Sequence, residues 1–277
     1  MGFRNTIFFI SCLIISFCLI LVFQSEDEVQ SMNYEQYKIL HYNESRSHSL
    51  DDFNLKIKPF RLEELITEIY EKNRLAGEKT RIMEIGVGNG RVLMELKRKF
   101  PEIEFYGINR EKTHTLYRRE SFLMTALKFG IMNEREMENM TLPYLVFADL
   151  DFGGRIPYDN SKFDLVFSQS VIPYIRYTIE LFNEIMRILK PGGISVHSDV
   201  TGINIYQDGV LLGIKEAMKE IRKQGIEIYC LDNPNSIRFK KSEQSTNFPL
   251  IPHQPIPKNI ENLSGEQRRP EMGYNLL

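Results

Sequence analysis

The stretch "RIMEIGVGNGRVLMEL", residues 81–96, decides the fold. An apolar run of strand length, Arg81 to Ile85, breaks at three alternating glycines, Gly86, Gly88 and Gly90. A run with helical apolar spacing follows at once. Strand, glycine turn and helix in that order open an α/β sheet, whose ligands bind beyond the carboxyl ends of the strands. Glycine permits the tight turn and lets a ligand lie against bare backbone. A dinucleotide-binding turn has the spacing G-x-G-x-x-G. The spacing here is G-x-G-x-G, and Glu84 stands two residues before the first glycine. A carboxylate there is a poor companion for a diphosphate and a good one for a cationic ligand, which argues against a nucleotide-cofactor oxidoreductase.

Working outward, strand-like runs recur as "IEFYGIN", "YLVFADL", "FDLVFSQS" and "GISVHSDV". Helical runs over 90–100, 111–129 and 178–190 separate them, and the last meets a terminator at Lys190-Pro191-Gly192-Gly193. This alternation predicts a parallel sheet covered on both faces. The near-continuous apolar strands agree with that. A further helix over 209–224 leads to "IEIYCLD" and "SIRFKKSE", joined by the short link Asn233-Pro234-Asn235. So short a link predicts an antiparallel hairpin. Upstream, after Pro59, Leu62, Leu65, Ile66 and Ile69 recur at helical spacing and predict an amphipathic helix ending near Gly77.

The 277 residues, 42% hydrophobic and 26% charged, suffice for one sizeable core. A net charge of -2 gives no basic nucleic-acid surface. Cys12, Cys18 and Cys230 make no disulfide framework. Residues 1–5 are a short N-terminal segment before "TIFFISCLIISFCLILVF", 6–23, which has no charge, glycine or proline. As a helix this run is roughly 27 Å long, enough for a thinner membrane. It exceeds the roughly 7–15 apolar residues of a signal peptide and ends in the poor cleavage pattern Val22-Phe23-Gln24-Ser25. An uncleaved transmembrane signal anchor is the expectation, with secretion after signal-peptide cleavage as the alternative. Arg4 before the run points to a single-pass, endomembrane, type II protein with its body in a lumen. Acceptor tripeptides for N-glycans at Asn43, Asn139 and Asn262 are compatible with that. Residues 24–58 are polar and read as a stem, the folded core is expected over 59–243, and 244–277 read as an irregular tail.

"MEIGVGNGRVLMEL" resembles the first motif of the class I S-adenosylmethionine-dependent methyltransferases. The similarity runs from about residue 80 to 243. Along it lie "EFYGIN", "LVFADLD", "IPYDNSKFDLVFSQSVIPYI" and "LFNEIMRILKPGGISVHSD", in the family's order. The resemblance implies a Rossmann-like three-layer α/β sandwich. Its sheet would have seven strands, mostly parallel with an antiparallel last strand. S-adenosyl-L-methionine is the implied cofactor. Gly86, Gly88 and Gly90 would admit its methionine part, and Glu84 would bear on its amino end. Asp149 and Leu150 would meet the adenine, and Ser168 and Gln169 would floor the site near the sulfonium. Where the family usually binds the ribose through Asp or Glu, nineteen residues after Gly90, this chain has Asn109.

No catalytic residue is assigned. His197 and Asp199, on one face at the end of the fifth strand, are the candidate bases, and Tyr174 is a candidate for the acceptor pocket. No His/Cys cluster has metal-ligand spacing. The implied function is a membrane-anchored methyltransferase, its methyl acceptor a small molecule, lipid, glycan or protein. A catalytically inactive methyltransferase-like binding or scaffold protein is the alternative, on account of Asn109 and of the absence of an identifiable base.

Overall fold

Strand β1 (Arg81–Ile85) pairs in parallel with β2 (Glu104–Asn109) on one side and β4 (Phe163–Gln169) on the other. This computed structural model describes residues 48–109, 119–138, 140–150, 155–175, 178–200, 206–207, 210–211, 219, 222, 226–231, 233 and 236–243. All of them belong to the unit Ser45–Leu277. The sheet continues through β3 (Tyr144–Phe147), beside β2, and β5 (Leu189–Ser198), beside β4. Two short strands, β6 (Tyr206–Gln207) and β7 (Val210–Leu211), pair only with each other. The antiparallel hairpin of β8 (Glu227–Cys230) and β9 (Ile237–Lys240) completes the main sheet. Its seven strands run in the order β3-β2-β1-β4-β5-β9-β8. The last strand among the described residues, β9, is antiparallel to both neighbours, β5 and β8.

Alternation along the strands explains the two cores. Ile82, Leu165, Phe167 and Val196 belong to one apolar cluster, and Met83, Ile85 and Val166 to another. The first is covered by α1 (Leu50–Lys56), α2 (Leu62–Ala76), α3 (Arg91–Lys99) and α4 (Arg119–Lys128). A five-residue helix, α5 (Glu134–Glu138), follows α4. The second cluster is covered by α6 (Thr178–Ile188), through Leu181, Phe182, Ile185 and Met186. At the amino edge, Asp164 of β4 accepts from Asn73 Nδ2 at 2.9 Å, Lys190 Nζ at 2.7 Å and the Arg81 amide at 2.8 Å. That buried carboxylate ties α2, β1 and β5 together.

Helix α1 corrects the expected boundary at residue 59. Ser49 Oγ accepts from the Asp52 amide at 3.1 Å, and Asp52 Oδ2 accepts from the Ser49 amide at 2.9 Å, a reciprocal cap. Leu50, Phe53 and Ile57, spaced i, i+3 and i+7, are sealed in the core. The stem reading therefore fails for these residues, and the described core begins with Leu50. The terminator at 190–193 is also displaced. Helix α6 ends at Ile188, and β5 runs through the Pro-Gly-Gly segment because Gly192 N–H donates to Lys241 O at 3.0 Å and Lys241 N–H to Gly193 O at 2.9 Å. The register between β4 and β5 shifts between Phe163 and Leu165. Val210 and Leu211 are strand where a helix over 209–224 was expected. The apolar run 6–23, the stem up to residue 47 and the tail 244–277 lie outside the described residues. Among the described residues, no helix is long and apolar enough to cross a membrane.

Candidate functional site

The chain runs outward from β1 through β2 to β3 and then returns to β4 on the far side of β1. The glycine turn lies at the carboxyl edge of that reversal, where open α/β sheets bind ligands. Gly86, Gly88 and Gly90 have φ of 72°, 58° and 81°, a region that side-chain-bearing residues rarely enter. A Cβ on Gly86 would overlap Val171, and one on Gly90 would overlap the Phe122 ring. The turn is pinned from β2, because the Gly86 amide donates to Ile108 O at 2.8 Å. From α4, Thr125 Oγ1 donates to Asn89 O at 2.7 Å.

Asn109 ends β2 as expected, but its amide serves the turn. Its Oδ1 accepts from the Gly88 amide at 3.2 Å, and its Nδ2 donates to Gly88 O at 3.3 Å. Only 7% of the residue is exposed. A carboxylate, which only accepts, cannot make both bonds. The departure from the family's acidic residue thus has a local structural reason.

Glu84 lies on the face of β1 that carries Ile82, toward α1 and α3. It is 4% exposed, and its Oε2 has no hydrogen-bond partner among the described residues. Burial, reinforced by nearby Glu95, pushes its carboxyl well above the usual range. An unpaired carboxyl oxygen inside a protein is costly unless something completes it. Gln169, at the end of β4, shares that face with Phe167, and neither its Oε1 nor its Nε2 has a partner among the described residues.

Ser168 points to the opposite face and does not floor the site. Its Oγ bonds His197 Nδ1 at 2.7 Å, while Ser195 Oγ bonds the other ring nitrogen. His197 is 0% exposed and packs between Phe182 and Phe239. Burial pushes its pKa down to about 3, so it is a neutral core residue and no base for an acceptor. Asp199 parts from it because its φ of 54° turns the chain away from the strand. Its Oδ2 accepts from Lys56 Nζ at 2.6 Å and Ser170 Oγ at 2.5 Å. Burial works against the charge of Asp199, but these bonds outweigh it and hold the carboxyl below its usual range. A carboxylate so held is a weak base. Sequence reasoning missed Lys56 because it fell inside the expected stem.

Leu150 is buried beyond β3, and Asp149 before it is half-buried. The Ala148 amide donates to Asn109 O at 2.9 Å, which joins this segment to the end of β2. Tyr174 is half-buried in a short 3-10 turn, Ile172–Tyr174, after β4. Among the described residues, no group of His, Cys, Asp or Glu has the arrangement of a metal site.

Residues 83–197 match a family model described as a methyltransferase domain. No curated protein matches the chain. Among solved structures, a SAM-dependent methyltransferase from Aquifex aeolicus is 15% identical, with 76% of this chain and 98% of that one covered and a TM-score of 0.41. The DszA carbon methyltransferase is 16% identical, with 74% and 57% covered and a TM-score of 0.49. PKMT2 from Rickettsia typhi, solved with AdoHcy, is 17% identical, with 43% and 20% covered and a TM-score of 0.32. The chain spans about half of a further protein, from Galdieria sulphuraria, at 47% of its length. Residues 83–197 carry the glycine turn and the carboxyl ends of β1, β2 and β4, so the part of the chain that builds the site is the part that matches the methyltransferase-domain model.

Proposed function

We propose that this chain is a membrane-anchored methyltransferase that binds S-adenosylmethionine across the carboxyl edge of β1, β2 and β3. One observation carries the assignment of residues: the buried, unpaired Oε2 of Glu84 beside a turn of three left-handed glycines. The cofactor's ammonium group is the partner that this oxygen lacks. The bare backbone of Gly86, Gly88 and Gly90 leaves room for the methionine part. Asn109 acts by holding Gly88 in place, and Asp149 and Leu150 face the adenine end. Gln169 lies toward the reacting centre.

Bound S-adenosylmethionine supplies a methyl group on a sulfonium, whose leaving group is a neutral thioether. The chain therefore needs chiefly to orient the reactants and exclude water. The glycine turn and Glu84 do the first for the cofactor. Helix α1, packed through Phe53 on Phe167, shields the same face from solvent. No residue is assigned as a base. The two bonds from Asn109 to Gly88 are compatible with cofactor binding at this turn.

Calorimetric titration of the detergent-solubilised chain with S-adenosylhomocysteine tests this reading. Saturable heat that Glu84→Gln weakens is expected. Binding unaffected by Glu84→Gln, or no binding at millimolar ligand, refutes it. Anchoring through residues 6–23 predicts retention in membranes after alkaline carbonate washing, and release of the chain refutes it. A type II orientation predicts glycans at Asn43 or Asn262 that an endoglycosidase removes.

A further inference from the structure

Beside the cofactor edge stands a second polar group, Gln169, whose ligand the reading above leaves unassigned. Gln169 is 7% exposed, yet both polar atoms of its amide lack partners among the described residues. A buried amide in that state points to a ligand that completes it. Strand alternation puts Gln169 on the face of Phe167, whose ring lies 5.5 Å from that of Phe53 on α1. One turn along α1, Lys56 Nζ sits 2.6 Å from Asp199 Oδ2 and 3.5 Å from Ser170 Oγ.

The backbone here is strained. Ser170 and Asp199 have φ of 55° and 54°, unusual for residues with side chains. Such outliers gather where function holds them. Lys56, Ser170 and, at 3.4 Å, Ser198 all meet Asp199 at Oδ2. Among the described residues, Oδ1 accepts no bond and the ammonium, with three donors, meets only Asp199 and Ser170. Lys56 and Asp199 are 27% and 28% exposed in their side chains, so a ligand can reach them. Val171, next to Ser170, packs against Gly86, which sets this group beside the cofactor turn.

We propose that Gln169, Lys56, Ser170 and Asp199 form the methyl-acceptor subsite, and that the acceptor is a small polar molecule carrying a carboxylate next to a hydroxyl or amine. The inference rests on the cofactor reading above. The carboxylate takes the remaining Lys56 donor and Gln169 Nε2. The neighbouring hydroxyl or amine donates to Asp199 Oδ1 or Gln169 Oε1. An acyl chain in the same place would leave the buried amide without partners, so lipid tails are disfavoured.

The test uses the full-length chain in detergent micelles, saturated with S-adenosylhomocysteine. Lactate, glycine and propionate are titrated separately and followed by saturation-transfer NMR. Lactate and glycine represent the hydroxyl and amine forms of the same chemistry. Propionate is lactate without the neighbouring donor. Saturable binding of lactate or glycine is expected, with propionate at least about tenfold weaker. Lys56→Met and Asp199→Asn should each weaken the bound probe about tenfold, while Lys56→Arg retains it. S-adenosylhomocysteine affinity, measured separately in each variant, should stay within about twofold and so certifies folding. The proposal is overturned if propionate binds as well as the other two, if no probe binds, or if the variants leave probe binding unchanged. Failure of S-adenosylhomocysteine itself to bind would instead strike the cofactor reading, and this proposal with it.

Discussion

Replacing Asn109 by aspartate should weaken cofactor binding, although the family's usual residue at this place is acidic. The amide makes two bonds to one residue, accepting from the Gly88 amide at 3.2 Å and donating to its carbonyl at 3.3 Å. Aspartate keeps the first and strengthens it by its charge. It loses the second and sets a charged oxygen against the Gly88 carbonyl. A buried acceptor left unsatisfied costs about 1–3 kcal/mol, and a charge-assisted bond returns part of that. A net loss near 2 kcal/mol would, if it fell wholly on the bound state, be roughly a 30-fold weaker affinity. Calorimetry with S-adenosylhomocysteine measures it. The sign with pH is a second check. A protonated aspartate can donate to Gly88 O, so folding favours the neutral form and raises the group's pKa. The defect should therefore grow as pH rises through the usual carboxylate range and shrink as it falls. Tighter binding by Asn109→Asp would refute this account and restore a ribose contact for the residue.

Three further outcomes follow from the same geometry. Burial holds Glu84 protonated to higher pH than an ordinary carboxylate, so pairing with an ammonium group should release a proton. Affinity for the cofactor should rise with pH until the raised pKa is passed, by up to about tenfold per unit, and titrations in buffers of different ionisation enthalpy would expose a missing proton. Phe53→Ala should cost about 3–5 kcal/mol of stability, the usual range for a sealed aromatic; a chain cut at Pro59 loses Leu50, Phe53 and Ile57 together and should not unfold cooperatively by calorimetry, unlike one cut at Ser45. Gly86→Val meets both the left-handed φ of 72° and the Val171 side chain, so loss of S-adenosylhomocysteine binding is expected, and unchanged affinity in a folded variant would displace the site.

The sheet was legible because its signals are local. Each strand is a short apolar run, and the glycines at 86, 88 and 90 mark the turn by spacing alone. The roles of single side chains were less legible, because they depend on register. Asn109 meets Gly88 only because β2 pairs with β1, Ile108 opposite Ile85. The pairing of Ser168 with His197 sets both on the face opposite Glu84, and Phe182 and Phe239 then seal the imidazole. Nothing in the linear order shows that enclosure. Helix α1 did carry a signal, Ser49 and Asp52 as a cap with Leu50, Phe53 and Ile57 behind it. It was hidden because the flanking residues are polar and the repeat covers only two turns.

The insertion of β9 between β5 and β8 has a consequence for the chain as it is made. Strand β8 is synthesised first, but its hydrogen-bonded neighbour in the main sheet is β9. Until residue 240 has left the ribosome, β5 therefore remains an open edge, with backbone donors and acceptors from Ile194 to His197 unmatched. An unpaired edge of apolar alternation invites pairing with other chains. A translational pause between β5 and β9 would prolong that interval, and synonymous codon choice over residues 199–236 thereby becomes a physical variable in the yield of folded protein.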